Sequence, residues 1–221
     1  MCIGWRRGCR VVVLYRFIKR LFDIFFSLCA IITLFPISII IAFAIKIEDG
    51  ESIFFLHTRV GFNAKPIKII KFRTMNQRMI NPKQSLSQEL YTQYIKEYKL
   101  DNDPRETEIG KVLRRCNLDE IPQLINVLCG NLSIVGPRPI TSDELVYYSD
   151  KDKIVLLSVK PGLTGYWQTY GKGHTSYMDG SRQNMELYYI QNRSIVLDSI
   201  IIIHTIKVLL EDIYHTIINK R

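Results

Sequence analysis

Residues 24–45 form a run of 22 residues without a single charge, and Pro36 stands inside it. The chain is basic on both sides. Arg6, Arg7, Arg10, Arg16, Lys19 and Arg20 precede the run; Lys46, Arg59, Lys65, Lys68, Lys71 and Arg73 follow it. Cytoplasmic flanks of membrane segments favour Lys and Arg, so a straight span would put one basic flank on the wrong side. At ~1.5 Å per residue the run is long enough to cross, and a kinked transmembrane helix is the alternative. The charge on both flanks favours a re-entrant hairpin that enters and leaves by one face. Pro36 lacks an N–H and clashes with the preceding turn, so it is expected to break the helix, with the hydroxyls of Thr33 and Ser38 serving freed carbonyls. Asp23 lies one turn after Arg20, and the two are expected to pair at the membrane boundary. The apolar stretch is too long for a signal-peptide core, and no small-residue cleavage site follows it.

Of the 221 residues, an anchor of about 45 leaves roughly 175, enough for one domain with its own core. The division expected is 1–46 for the anchor and 47–221 for a cytoplasmic catalytic domain. The formal net charge of +9 suits a phosphate-bearing partner. Five cysteines without a C-x-x-C pair suggest neither a disulfide framework nor zinc. The four histidines lack metal-type spacing. No recognition motif, basic helix or aromatic platform supports nucleic-acid binding.

The fold class expected is α+β, mostly helical, with a small β element. Strands are expected at 52–56 and 66–72 around a turn at Gly61-Phe62-Asn63. An amphipathic helix is expected at 85–99, with Leu86, Leu90, Tyr94 and Tyr98 on one face. Further helices are expected from 107 to 115, from 118 to 128 with a stripe of Ile121, Leu124, Ile125 and Leu128, and from 194 to 217. Gly130 should stop the helix at 118–128.

Asp119-Glu120 follows Arg114-Arg115 and should open a helix, where carboxylates are stabilised as anions. Two ionised acids beside basic groups suit a divalent metal shared with a phosphate ester, and a carboxylate can attack phosphorus itself. An acidic pair at a helix start is also ordinary capping. Pro137 and Pro139 stiffen the backbone around Arg138, whose fork suits a phosphate.

Together these motifs resemble a known family. They are Lys19-Arg20-x-x-Asp23, the broken apolar run, Arg59-Val60-Gly61, Lys71-Phe72-Arg73-Thr74-Met75, Arg114 through Leu118-Asp119-Glu120-Ile121-Pro122-Gln123-Leu124, Gly136-Pro137-Arg138-Pro139, Lys160-Pro161-Gly162-Leu163-Thr164-Gly165 and Trp167-Gln168. The chain is similar to the bacterial sugar transferases, monotopic polyprenyl-phosphate phosphoglycosyl transferases, in their minimal catalytic form. The resemblance implies transfer of a sugar-1-phosphate from a UDP-sugar to undecaprenyl phosphate, with release of UMP. The product would begin a capsule, exopolysaccharide, O-antigen or glycoprotein glycan. It implies a re-entrant helix and amphipathic helices at the interface of the bacterial inner membrane, with catalysis on the cytoplasmic face. Asp119 would be the nucleophile, forming a phosphosugar intermediate, and Glu120 would assist. Both would hold Mg²⁺. Arg114, Arg138, Arg73 and Lys71, with Pro137 and Pro139, would bind substrate phosphates. Lys19, Arg20, Asp23 and Pro36 belong to the anchor. Downstream glycosyltransferases and a homodimer are partners left open.

The chain departs from the family pattern at Phe35, Cys116, Asn131, Lys172 and Glu186. Two rival readings are a sugar-only glycosyltransferase that releases UDP, and a membrane-anchored scaffold without turnover.

Overall fold

The computed structural model describes residues 3–79, 81–97, 100, 102–171 and 175–218, with side chains except at 3–13, 96–97 and 217–218. The side chains of Cys2, Cys9, Arg6, Arg7, Arg10, Tyr98, Lys172 and His174 therefore lie outside the description. In chain order the elements are α1 (Ile3–Asp49), β1 (Phe54–Val60), β2 (Pro66–Phe72), α2 (Pro82–Ser85), α3 (Gln88–Glu97), α4 (Glu108–Arg115), α5 (Gln123–Leu128), β3 (Ser133–Val135), α6 (Asp150–Leu156), β4 (Gly162–Thr164), α7 (Tyr166–Tyr170), α8 (Ser181–Asn192) and α9 (Ile195–Ile218). The chain is a mostly helical α+β protein, as its sequence suggests. β1 and β2 form an antiparallel hairpin, Phe54 opposite Phe72 and Val60 opposite Pro66. β3 and β4 form a second, parallel pair.

α1 departs from expectation. Its helical backbone begins at Ile3 and continues through Pro36. Pro36 therefore lies within helical backbone rather than at a gap between two helices. Thr33 Oγ1 donates to Cys29 O and Ser38 Oγ to Leu34 O, each at 2.8 Å. Neither is the Ile32 carbonyl that a proline at 36 leaves without its usual donor. The division expected at 46 falls just inside the end of α1.

One stripe of α1 packs on the rest of the protein, at helical spacing. Lys19, Asp23, Ser27, Ala30 and Leu34 form its first stretch, and Ile41, Ile45 and Glu48 its second. No residue between Leu34 and Ile41 is buried, so the contact thins around Pro36. Phe26, Ala30, Ile31 and Leu34 lean on the main core, built on Leu124, Val127, Leu132, Ile134 and Tyr189. Ile41 and Ile45 join Phe72 and Leu113 in a second, smaller core. Each fully buried aliphatic side chain contributes about 1.5–3 kcal/mol. The opposite face of α1 exposes Phe17, Leu21, Phe25, Leu28, Ile32, Phe35, Ile40, Phe43 and Ile47. A contiguous apolar face of this size marks a membrane or protein contact, and residues 14–49 are long and apolar enough to cross a bilayer. α9 likewise exposes Val196, Ile203, Ile206 and Leu210.

The polar anchor residues bind the body rather than each other. Arg20 donates to Val127 O and Leu128 O at 2.7 and 2.8 Å, capping the C-terminal carbonyls of α5. Asp23 is buried and accepts from Ser133 Oγ and Ile134 N, fixing the start of β3. The expected Arg20–Asp23 ion pair is not among those formed by the described residues. Lys19 instead pairs with Asp198 of α9 at 2.7 Å.

The helix expected at 118–128 is divided. Leu118–Glu120 is a 3₁₀ turn, and α5 starts at Gln123 after Pro122. Gly130, at φ +83°, ends α5 as expected. β2 has the expected bounds, whereas β1 runs on to Val60 instead of stopping at 56.

Candidate active site

Asp119 and Glu120 sit on the 3₁₀ turn between α4 and α5, beneath the end of β2. Lys71 Nζ lies 2.6 Å from Glu120 Oε1 and 3.5 Å from Asp119 Oδ2. Lys71 reaches them because α5 is bonded to the free edge of β2. Asn126 is buried on α5, accepts from Ile70 N at 2.9 Å and donates to Lys68 O at 2.8 Å. Its side-chain amide thus stands in for a third strand. Asn126 lies off the apolar stripe read from the sequence, and nothing local in the sequence marked it for this role.

Arg114 arrives on α4, which is capped by Thr107. α4 approaches the chain after β2 closely: a Cβ on Gly110 would lie 2.1 Å from Thr74 O, so only glycine fits. Arg114 pairs with Glu106 at 2.6 Å and lies near enough to Asp119 to lower its pKa. Burial is the larger influence on Asp119 and raises it. Lys71 opposes, the Glu120 charge adds to the rise, and the net is a shift above its ordinary value. Burial also acts upward on Glu120, but Lys71, Arg138 and the Gln123 side chain prevail and hold it below its ordinary value.

Arg138 lies near enough to Glu120 to lower its pKa. Pro137 O accepts from Gly162 N at 2.8 Å, and Gly136 N donates to Thr164 O at 2.9 Å, clamping the turn to β4. A Cβ on Gly162 would stand 2.1 Å from Gly136 N, so the clamp needs glycine. Arg138 Nη1 reaches Glu144 Oε1 at 3.3 Å. Glu144 is fully buried and also accepts from Arg59 at 2.7 Å, Tyr177 Oη at 2.9 Å and Thr141 N at 2.6 Å. The guanidinium of Arg182 lies between Trp167 and Tyr177, 3.7 and 4.0 Å from the ring centroids. Glu144 and Arg182 had no local sequence signature; they are far apart in the chain and come together around Tyr177 only in the fold.

Arg73 is not brought to the dyad. Its guanidinium is buried and bonded to both Asp49 oxygens, at 2.7 and 2.5 Å, and its Nε donates to Ser52 O. It ties the end of α1 to the end of β2. The phosphate contact expected of Arg73 gives way to this lock. His57 is held down to about 4, first by burial and then by Arg59 and Lys71, so it is neutral at pH 7.

Glu186 of α8 is buried and accepts from Arg138 N at 3.1 Å. Burial pushes it up to about 7 against the pull of that N–H and of Arg182 and Arg138. The folded state then holds a proton that the unfolded chain releases near the ordinary Glu value. The stability this gives at low pH is lost as pH rises through 7, by up to about 3 kcal/mol. Glu186→Gln keeps the acceptor oxygen and removes the titration. Denaturation midpoints at pH 5.5 and pH 8 should fall for the natural protein and fall less for the variant. Equal falls would contradict the assignment.

Among the described residues no group of three or more His, Cys, Asp and Glu could cage a metal. Two adjacent carboxylates still fit Mg²⁺, which binds through one or two carboxylates together with substrate phosphates.

An acidic pair under a lysine, with arginines on two sides and a long apolar helix alongside, suits anionic phosphate chemistry at a lipid surface. Family comparison gives this class its name. Residues 14–212 match the family model of the bacterial sugar transferases, and the chain belongs to that family. It is an enzyme, of the transferase class. It is 40% identical over 191 residues to an exopolysaccharide production protein, ExoY, of Sinorhizobium fredii, covering 85% of this chain and 83% of the relative. It is 39% identical over 201 residues to the undecaprenyl-phosphate galactose phosphotransferase of Salmonella typhimurium, covering 88% of this chain and 41% of that longer protein. Against the UDP-glucose:undecaprenyl-phosphate glucose-1-phosphate transferase of Escherichia coli the identity is 37% over 196 residues, covering 86% and 40%.

Proposed function

We propose that the enzyme transfers a sugar-1-phosphate from a UDP-sugar to undecaprenyl phosphate in two displacements. The observation that carries this reading is the buried Asp119 carboxylate, 3.5 Å from Lys71 and beside Glu120. In the first displacement an Asp119 oxygen attacks the sugar-bearing phosphorus. The bond from that phosphorus to the bridging oxygen breaks, and UMP leaves with the electron pair. In the second, an oxygen of the lipid phosphate attacks the same phosphorus and the Asp119 carboxylate leaves. The product is a sugar diphospholipid. Lys71, Arg114 and Arg138 are placed to offset the charge of the diphosphate. Asp119 and Glu120 would hold Mg²⁺ with the substrate phosphates; when bound, the ion would neutralise charge on them.

The acceptor's isoprenoid tail requires a site at head-group depth, and α1 supports a monotopic seat. At one end Lys19 and Arg20 bind α9 and α5. At the other, Glu48 accepts from Ile109 N and Asp49 pairs with Arg73. A bilayer core of about 30 Å cannot lie between two ends held by one polar body. α1 therefore sinks its apolar outer face into one leaflet of the inner membrane, with both ends on the cytoplasmic side. Cysteines placed at both termini should resist a membrane-impermeant maleimide in intact cells. Labelling of the N-terminus alone would contradict this.

The reaction is tested by incubating the detergent-purified protein with undecaprenyl phosphate, Mg²⁺ and a panel of UDP-sugars. UMP formed with at least one donor is expected. UDP would indicate a sugar-only transferase, and no product with any donor would favour a scaffold.

A further inference from the structure

The turn that carries the dyad is weakly held by its own backbone. Glu120 N to Asn117 O and Ile121 N to Leu118 O measure 3.4 and 3.3 Å, at the long end of hydrogen bonding. Asn117, which leads into the turn, has φ +55° and ψ +21°, the left-handed region. Asn tolerates that region better than most residues. An Asn at this place usually caps the following turn with its own side chain. Here it makes no such bond. Its Nδ2 donates across the fold to Asp212 Oδ2 of α9 at 3.0 Å, 95 residues away in sequence.

We infer that Asp212 is a positioning residue for Asp119, acting through Asn117; this rests on the nucleophile reading above. The tether fixes the Asn117 side chain and so the backbone direction from which Leu118 and Asp119 depart. Lys71 holds the carboxylates from the β2 side, and Asp212 holds the turn from the α9 side. In-line attack on phosphorus depends on where one carboxylate oxygen sits, and misplacement by about 1 Å can cost on the order of 100-fold in rate. Loss of one charge-assisted tether should cost less, about tenfold.

The test uses the full chain in detergent with the UDP-sugar that supports UMP release. Asp212→Ala should lower kcat about tenfold with the donor KM unchanged. Asp212→Asn, which retains an acceptor oxygen, should restore most of the rate. Asn117→Gly keeps the left-handed backbone and loses the tether, so it should match Asp212→Ala. The double variant should be no worse than either single one, because both remove the same contact. A normal kcat in Asp212→Ala would overturn the inference. So would losses that multiply in the double variant, or a loss explained by a smaller folded fraction with unchanged kcat per folded molecule. If Asp212→Ala does not fold, Asn117→Gly and Asp212→Asn decide alone. Asp119→Asn is the separating control. An inactive Asp119→Asn beside a fully active Asp212→Ala sinks only the tether, whereas an active Asp119→Asn sinks the nucleophile reading itself.

Discussion

Asp119→Asn is expected to lower kcat by at least ~10³-fold without unfolding the protein. Asn matches the shape of Asp and removes a buried charge, so the cores around it are not disturbed. What it removes is the proposed nucleophile. Loss of a covalent nucleophile leaves only binding and charge stabilisation, and residual rates in such variants are small. Glu120→Gln should retain more activity, because Glu120 is more exposed and is proposed to assist rather than to form the bond. Steady-state UMP release at saturating donor and acceptor checks both. More than a tenth of the natural rate in Asp119→Asn would show that phosphorus is attacked by another group.

Glu144→Ala carries the largest expected effect on stability. Glu144 is fully buried and joins Arg59, Arg138, Tyr177 and Thr141. Removing it leaves two guanidinium groups without their buried counter-charge. Breaking a buried ion pair from one side costs about 3–5 kcal/mol, a large part of the ~5–15 kcal/mol that holds a domain folded. Glu144→Gln keeps an acceptor and should cost less. Chemical denaturation in detergent measures both. A change under about 0.5 kcal/mol in Glu144→Ala would mean that water replaces the carboxylate. Arg138 should also lose its fixed direction, so whatever remains folded should bind donor more weakly.

The sequence revealed those features whose causes are local. β2 follows from the β-branched and aromatic residues Ile67, Ile69, Ile70 and Phe72 after Pro66, and its limits are those observed. Gly130 ends α5 because a positive φ suits glycine. The proximity of Lys71 to Asp119-Glu120 was anticipated only through the family likeness, since the residues are some fifty apart and Asn126 is what joins their elements.

The failures have a common physical origin. Arg20 and Asp23 stand one helical turn apart and look like partners. Each meets a stronger claim in three dimensions, bare carbonyls at the end of α5 and a bare amide at the start of β3. Pro36 interrupts no helical backbone, because contacts on both sides of it hold α1 to the body. The apolar stripe at 118–128 suggested one helix, whereas Pro122 and the left-handed Asn117 set a separate turn before α5. Tertiary partners outweighed local preference in each case. Arg73 illustrates the same point at the candidate site. Its phosphate role was expected only from the family likeness, and Asp49 at the end of α1 takes the side chain instead.

The measurement that reaches the central claim most directly is capture of the intermediate. The protein is incubated with its UDP-sugar and Mg²⁺ but without lipid acceptor, and its intact mass and released nucleotide are read together. The account predicts a single added sugar phosphate per chain, located on the peptide containing Asp119, with one equivalent of UMP and neither signal in Asp119→Asn. An unmodified protein that releases UMP only after undecaprenyl phosphate is added would contradict it, showing direct transfer between the two substrates.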